Sequence, residues 1–502
     1  MSTDTNAAPA GGPALRKGVI LFVLGITQLM IILDATIVNV AIDNIRVDLN
    51  VQSTGDLQWI VTGYALAFGG FLLLGGKLAD RLGRRRILIG GALLFALASL
   101  IGGFSTSLEM LIGARLLQGF GGALMAPAAL SILTVVFEEG KERDRAFGVW
   151  AAISAGGAAI GLLLGGVLTQ YASWEWVFFV NVPIALFAVV GAIMYVPESK
   201  EETAHTFDIP GAVFITGGLM ALVYGLVNGN DVGWGSTQTL LTLGLAAILM
   251  GAFVAVMIRS KAPMIPRVLL RYRNLIGANL GALIALSGMF AMFFYLVLWM
   301  RQINGWSPLD AGFAFLPVTV FIIVGAGIAS ATLSKIGPRP LVFFGPIIAG
   351  AGLLMIGIGL EPDSTYAGKL LPGLLLMAFG MGMAFVAFTS AALAGIPKDY
   401  SGVASALLNA SQQVGGAVGL AVLTAVAIGR TATVFPGPAP DFIGPEGVPA
   451  DPVALGAYID ATVDGFAAAI TVGGFLLILS ALVMGALIRV KPGEAALPSP
   501  AG

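Results

Sequence analysis

Two charged residues stand inside runs that are otherwise apolar. Asp34 lies within Gly18–Ile42, and Arg115 within a run from about 110 to 136. A charge at the centre of a membrane helix costs about 2.5–3.5 kcal/mol on insertion scales, so such a residue marks a functional site by default. Counted at ~1.5 Å per residue from the ends of their runs, Asp34 lies ~12 Å and Arg115 ~9 Å below one membrane surface, so the two can meet. Burial and a neighbouring cation act on a carboxyl's proton affinity in opposite senses, which suits proton exchange near neutral pH. The plainer roles are a hydrogen-bond acceptor for Asp34 and an interhelical tie for Arg115. A second constellation is Gly76-Lys-Leu-Ala-Asp-Arg-Leu-Gly-Arg-Arg-Arg86, a short loop between apolar runs. Asp80 sits there among Arg81, Arg84, Arg85 and Arg86, and the run starting near Tyr400 begins on the same side. A helix N-terminus carries roughly +0.5 charge, so Asp80 docked on that end would close this side in the outward-open state. Gly76, Asp80, Arg81, Gly83 and Arg84 are therefore read as a cytoplasmic gate.

What is missing narrows the chemistry. The chain has no cysteine and one histidine, His205, so disulfides and thiolate metal sites are excluded and most histidine-metal and histidine-base chemistry is removed. No G-x-x-x-x-G-K-[ST] loop occurs, which disfavours ATP drive. No catalytic or metal cluster is visible, so neither an enzyme nor a bound cofactor is expected. The net charge of −1 points to no nucleic-acid partner.

The elements that must position these residues follow from composition. Apolar residues make up 57% of the 502 and charged ones 11%, against roughly 25% charged in soluble proteins. Mean hydropathy is +0.94. At ~20 residues per span this supplies about fourteen helices and no large soluble domain. The runs lie near 18–42, 56–76, 86–104, 110–136, 146–170, 176–196, 209–227, 237–258, 275–300, 309–330, 339–360, 369–394, 400–428 and 464–488. They are continuous rather than alternating, so they are helices and not barrel strands. The first is too long for the ~7–15-residue core of a signal peptide and reads as a permanent span. With the N-terminus inside, 21 of the 26 basic residues fall on cytoplasmic segments, which fixes an even number of spans and both termini in the cytoplasm.

An internal repeat appears at an offset of 254 residues. Ser53-x-x-Asp56 matches Ser307-x-x-Asp310, both read as helix caps. The loop 80–86 matches 334–340, and Gly148, Gly161 and Gly165 match Gly402, Gly415 and Gly419. The shift leaves 209–258 over as an inserted hairpin, a 6 + 2 + 6 plan. The expected divisions are a tail 1–17, a six-helix bundle 18–197, a hairpin 198–262, a second bundle 263–491 with an outer loop 429–463, and a tail 492–502. Small residues every four positions let backbones approach closely, so Gly157, Gly161, Gly165, Gly415 and Gly419 read as helix-packing or hinge sites. Methionines and phenylalanines such as Met289, Met292, Met377, Met381 and Phe290 suit an adaptable cavity or plain packing.

At this point the motifs resemble a known family. The segment 76–86 is similar to the major facilitator superfamily signature of the loop between helices two and three. Leu111-x-x-x-Arg115-x-x-Gln118-Gly119-x-Gly121-x-Ala123 resembles its helix-four signature, and Leu33-Asp-Ala-Thr-Ile-Val-Asn-Val-Ala-Ile42 its helix-one signature. With fourteen spans the chain resembles the fourteen-helix drug:proton antiporters. The resemblance implies an all-α membrane protein of the major facilitator fold, with Asp34 and Arg115 at the proton-coupling positions. It implies a monomeric multi-pass protein of the bacterial cytoplasmic membrane, driven by the proton gradient. The glycine run of span five is similar to the exporter signature, but Leu162 stands where that signature has proline. The expected function is proton-coupled efflux of lipophilic, neutral or monocationic drugs, because a single deep carboxylate compensates one charge and not two. The alternative is a dedicated exporter of an endogenous metabolite or lipid.

Overall fold

The computed structural model describes residues 13–51, 54–138, 141–200, 208–260, 263–397, 400–435 and 452–490. Ser53, most of both tails and the Pro-rich part of loop 429–463 lie outside them. Each apolar run is a helix, since only intrasegment hydrogen bonds satisfy backbone groups in lipid. In chain order these are α1 (Pro13–Asp48), α2 (Thr54–Leu82), α3 (Arg84–Gly103), α4 (Leu108–Val136), α5 (Lys141–Tyr171), α6 (Trp176–Phe179), α7 (Asn181–Tyr195), α8 (Ile209–Asp231) and α9 (Thr237–Arg259). There follow α10 (Arg273–Leu298), α11 (Pro308–Ala314), α12 (Leu316–Ile336), α13 (Pro338–Gly357), α14 (Leu371–Leu393), α15 (Ser401–Val434) and α16 (Pro452–Leu487). No strand occurs among the described residues. Thirteen helical segments are long and apolar enough to cross a membrane, and α5, 31 residues long, stands where the remaining span was expected.

Two expected spans are interrupted, and proline explains both. Pro183 cannot donate to the carbonyl of Phe179, and the helix breaks at Val180 between α6 and α7. Pro317 likewise leaves Phe313 without its donor, and the break falls at Phe315 between α11 and α12. Removing an i→i−4 bond while the ring crowds that carbonyl is the usual route to such breaks.

The repeat is visible in packing. α1 lies on α5 and α7, α2 on α4, and α3 on α4 and α7; correspondingly α10 lies on α15 and α16, α12 on α14, and α13 on α14 and α16. The matched loops both turn on a left-handed glycine, Gly83 at φ 111° and Gly337 at φ 73°, a conformation open to glycine at little cost. Gly161 and Gly165 sit against the backbone of Leu33 and Ile37 on α1, while Gly415 and Gly419 sit against Leu283 and Ser287 on α10. Gly157 meets Ile32 and Leu29. A side chain at any of the four backbone contacts would hold the helices apart.

Calling the side on which α1 begins the near face, the apolar cores divide unequally. One core joins Ile37, Ile45, Leu57 and Leu162 from the far half of α1–α7 to Met292, Trp299, Ala311 and Phe315 of the later helices. A separate core, with Val23, Leu88, Phe95 and Ile132, fills the near half of the first bundle. The far ends are sealed together. Gly166 abuts Pro308 and Leu309, and the Leu162 carbonyl meets Gly312. Leu162 itself is buried and α5 runs through it unbroken. At the same face Arg301 donates to the Asn44 side chain at 2.7 Å and to the Trp306 carbonyl at 2.5 Å, with Asp43 at 3.5 Å. Met292, Met377, Met381 and Phe294 are buried packing residues, while Met289 and Phe290 are only partly so.

Candidate functional site

The structure brings Asp34 and Arg115 into direct contact. Arg115 Nη1 donates to Asp34 Oδ2 at 2.6 Å, and the side chains are 1% and 0% exposed. The other carboxylate oxygen accepts from Gln118 Nε2 and from Asn181 Nδ2, each at 2.9 Å. Each of these three side chains donates to the Asp34 carboxyl. Arg115 is held on three more sides. Its Nε donates to the Ile60 carbonyl at 2.8 Å, its Nη1 to Gln118 Oε1 at 2.9 Å, and its guanidinium lies 4.5 Å from the centre of the Tyr64 ring. A cation over an aromatic face gains ~0.5–2 kcal/mol, more when desolvated. Gln118 also donates to Ser99 Oγ at 2.8 Å.

Local folding places each member. Arg115 and Gln118 are three apart on α4, and residues at that spacing share a helix face. Asn181 is the first residue of α7, immediately beyond the proline-induced break, and its Nδ2 also reaches the Val177 carbonyl at 3.4 Å. The network thus ties α1, α2, α3, α4 and α7 around one charge pair. Asp34 faces this interior rather than lipid, and it is sealed from solvent in this arrangement. Gln118, Asn181, Ser99 and Tyr64 had no assigned role from sequence. Gln118 falls within the quoted helix-four stretch, but a neutral amide brings no charge that would demand a partner.

With the far ends sealed, the gate residues pair within their own loop. Asp80 takes its hydrogen bonds from Arg84 Nε and Nη2, at 3.0 and 2.9 Å, and not from the first turn of α15. Arg84 is one turn away across Gly83, so the nearest cation captures the carboxylate. Gly83 abuts the Glu198 carboxylate, which accepts from Arg85 N at 3.1 Å and lies within 3.6–3.8 Å of Arg86 and Arg85. Glu198 is a further member of the loop cluster. Gly76 packs toward Pro127, and Arg81 is exposed on the last turn of α2. Asp310 occupies the third position of a cap in which Ser307 Oγ accepts from its N–H at 3.1 Å.

Residues 24–420 match the Major Facilitator Superfamily. This chain belongs to that superfamily. It is 38% identical over 490 residues to the puromycin resistance protein pur8 of Streptomyces alboniger, covering 97% of this chain and 94% of that one. It is 35% identical to the tetracenomycin C resistance and export protein of Streptomyces glaucescens, covering 87% and 82%. The cephamycin export protein CmcT of Amycolatopsis lactamdurans is 37% identical, covering 79% and 82%. The fold is also that of a crystal structure of peptide transporter POT in complex with sulfate, at TM-score 0.62 and 18% identity over 94% of this chain and 96% of that one. As a major facilitator the protein is a multi-pass membrane transporter and not an enzyme.

Proposed function

We propose that this transporter is a proton-coupled antiporter exporting lipophilic, neutral or monocationic antibiotics across the bacterial cytoplasmic membrane. It works without a cofactor, as a fourteen-helix drug:proton antiporter. In this reading the near face is cytoplasmic, both termini lie there, and α8–α9 is a hairpin inserted between bundles of six. The matched packing of α1–α7 and α10–α16 supports that division, as does the positive bias of the near-face loops. The observation that carries the reading is the sealed Asp34–Arg115 pair. A proton can reach Asp34 only when helices move, which is what coupling requires. Each chain holds a complete network, so a monomer suffices. The resistance and export functions named for the relatives support drugs as cargo.

The cycle follows from the unequal cores. With the outer ends sealed, the protein stands closed to the outside. Asp80 rests on Arg84; when the outer seam parts, Asp80 transfers to the N-terminus of α15 and shuts the cytoplasmic side. Each proton moving inward through 100 mV supplies about 2.3 kcal/mol. Everted vesicles with an acid lumen are expected to accumulate puromycin, and nigericin to abolish the uptake; uptake indifferent to the gradient would contradict the antiport. A panel of puromycin, tetracenomycin C and cephamycin separates a broad exporter from one dedicated to a single compound, a reading favoured by relatives named for one antibiotic.

Arg301 is the outer latch of this cycle. It bridges α1 and the α10–α11 turn through charged hydrogen bonds worth about 1.5–3 kcal/mol each. Arg301→Ala is expected to raise maleimide labelling of a single cysteine at Ala311→Cys about tenfold, and the absence of native cysteine makes that label unique. Unchanged labelling would remove the latch from the mechanism.

A further inference from the structure

Gln58 on α2 is fully buried, and neither its amide oxygen nor its amide nitrogen has a hydrogen-bond partner in the protein. A primary amide offers two donors and an acceptor, and buried polar groups are normally paired. The direction in which it points is set by the helix. Gln58, Thr62, Ala65 and Gly69 recur every three or four residues and share a face. At Gly69 that face lies against Ala410 and Gln413 of α15, and Ala65 packs with Ala417 and Ala421. The two helices run antiparallel, so three turns toward the outside the same register brings Gln58 level with Thr424. Thr424 is buried and accepts from the Tyr295 phenol at 2.8 Å, which leaves its own O–H to give. On this register the two polar side chains lie one to two turns beyond the alanines Ala65, Ala417 and Ala421 that pack α2 against α15.

We propose that Gln58 and Thr424 form a hydrogen-bonding subsite for the exported molecule. The class it takes is a lipophilic compound presenting a donor and an acceptor together, such as an amide or a hydroxyl beside a carbonyl. Asp34 is left to the proton. A site built to hydrogen-bond a substrate discriminates strongly against analogues that lack the group, because its own polar atoms are then left unpaired. A residue serving only the fold would have its bonds already made; this amide has none.

The subsite rests on the export reading, and binding measured apart from transport separates the two. Equilibrium dialysis of the purified full-length protein would use puromycin, which carries an amide, and tetraphenylphosphonium, which has no hydrogen-bonding group. Gln58→Met, close in shape, is expected to weaken puromycin binding about tenfold, the scale of one or two neutral hydrogen bonds. It should leave tetraphenylphosphonium binding unchanged and the melting temperature equal or higher, since no unpaired amide is then buried. Thr424→Val should weaken puromycin binding in the same direction by less. The subsite is overturned by unchanged puromycin binding in both variants, by absent puromycin binding in the wild type, or by equal loss of both ligands with a fall in melting temperature. Puromycin bound through Gln58 but never accumulated in acid vesicles would sink export and leave the subsite standing.

Discussion

Asp34→Asn is expected to abolish proton-driven export while substrate binding survives. Asparagine keeps an acceptor for Gln118 and Asn181, so the substituted side chain has partners in the same place. It cannot take up and release a proton, and loss of a positioned proton-transfer group costs about 10²–10⁴ in rate. In everted vesicles with an acid lumen, antibiotic accumulation should fall by at least about 100-fold at matched protein levels. Accumulation at the wild-type rate would remove Asp34 from the coupling step.

Arg115→Met is expected to be the most damaging single change to stability. Asp34 then stays buried with only two neutral donors, and removing one partner of a buried ion pair costs roughly 3–5 kcal/mol. The same reasoning lowers the stability of Asp34→Asn, where Arg115 is the stranded charge. The double variant Asp34→Asn/Arg115→Met removes both charges and should recover most of the lost stability without recovering any coupling. Melting temperatures of the three variants give the pattern directly. A double variant no more stable than Arg115→Met would show that the two side chains do not act as a pair.

Asp34 and Arg115 were legible because a charge interrupts an apolar run, and equal depth suggested that they meet. Gln118, Asn181 and Gln58 were not assigned roles, because an uncharged amide brings no charge that must find a counter-ion inside the membrane. The proline-induced break that delivers Asn181 was hidden too, since residues 176–196 read as one predominantly apolar run in which Asn181 is the one strongly polar residue. The 254-residue offset was faint in residue identity. It is plain in backbone geometry, where Gly83 and Gly337 turn alike and the glycine stripes lie on equivalent helices. In the proposed cycle the partner of Asp80 depends on which way the transporter is open, and no pattern of residues encodes that. Its pairing with Arg84 accompanies the sealed outer face; the interdomain bridge at Arg301 joins residues too far apart in sequence for spacing to suggest it.

Coupling through Asp34 predicts that antibiotic binding and proton release are one event. The most direct test is to add puromycin to the purified protein in weakly buffered solution and follow solvent pH with an indicator dye. The wild type is expected to release protons in proportion to puromycin bound, and Asp34→Asn to bind puromycin with no release. Equal proton release from both proteins would contradict the assignment of the coupling site to Asp34.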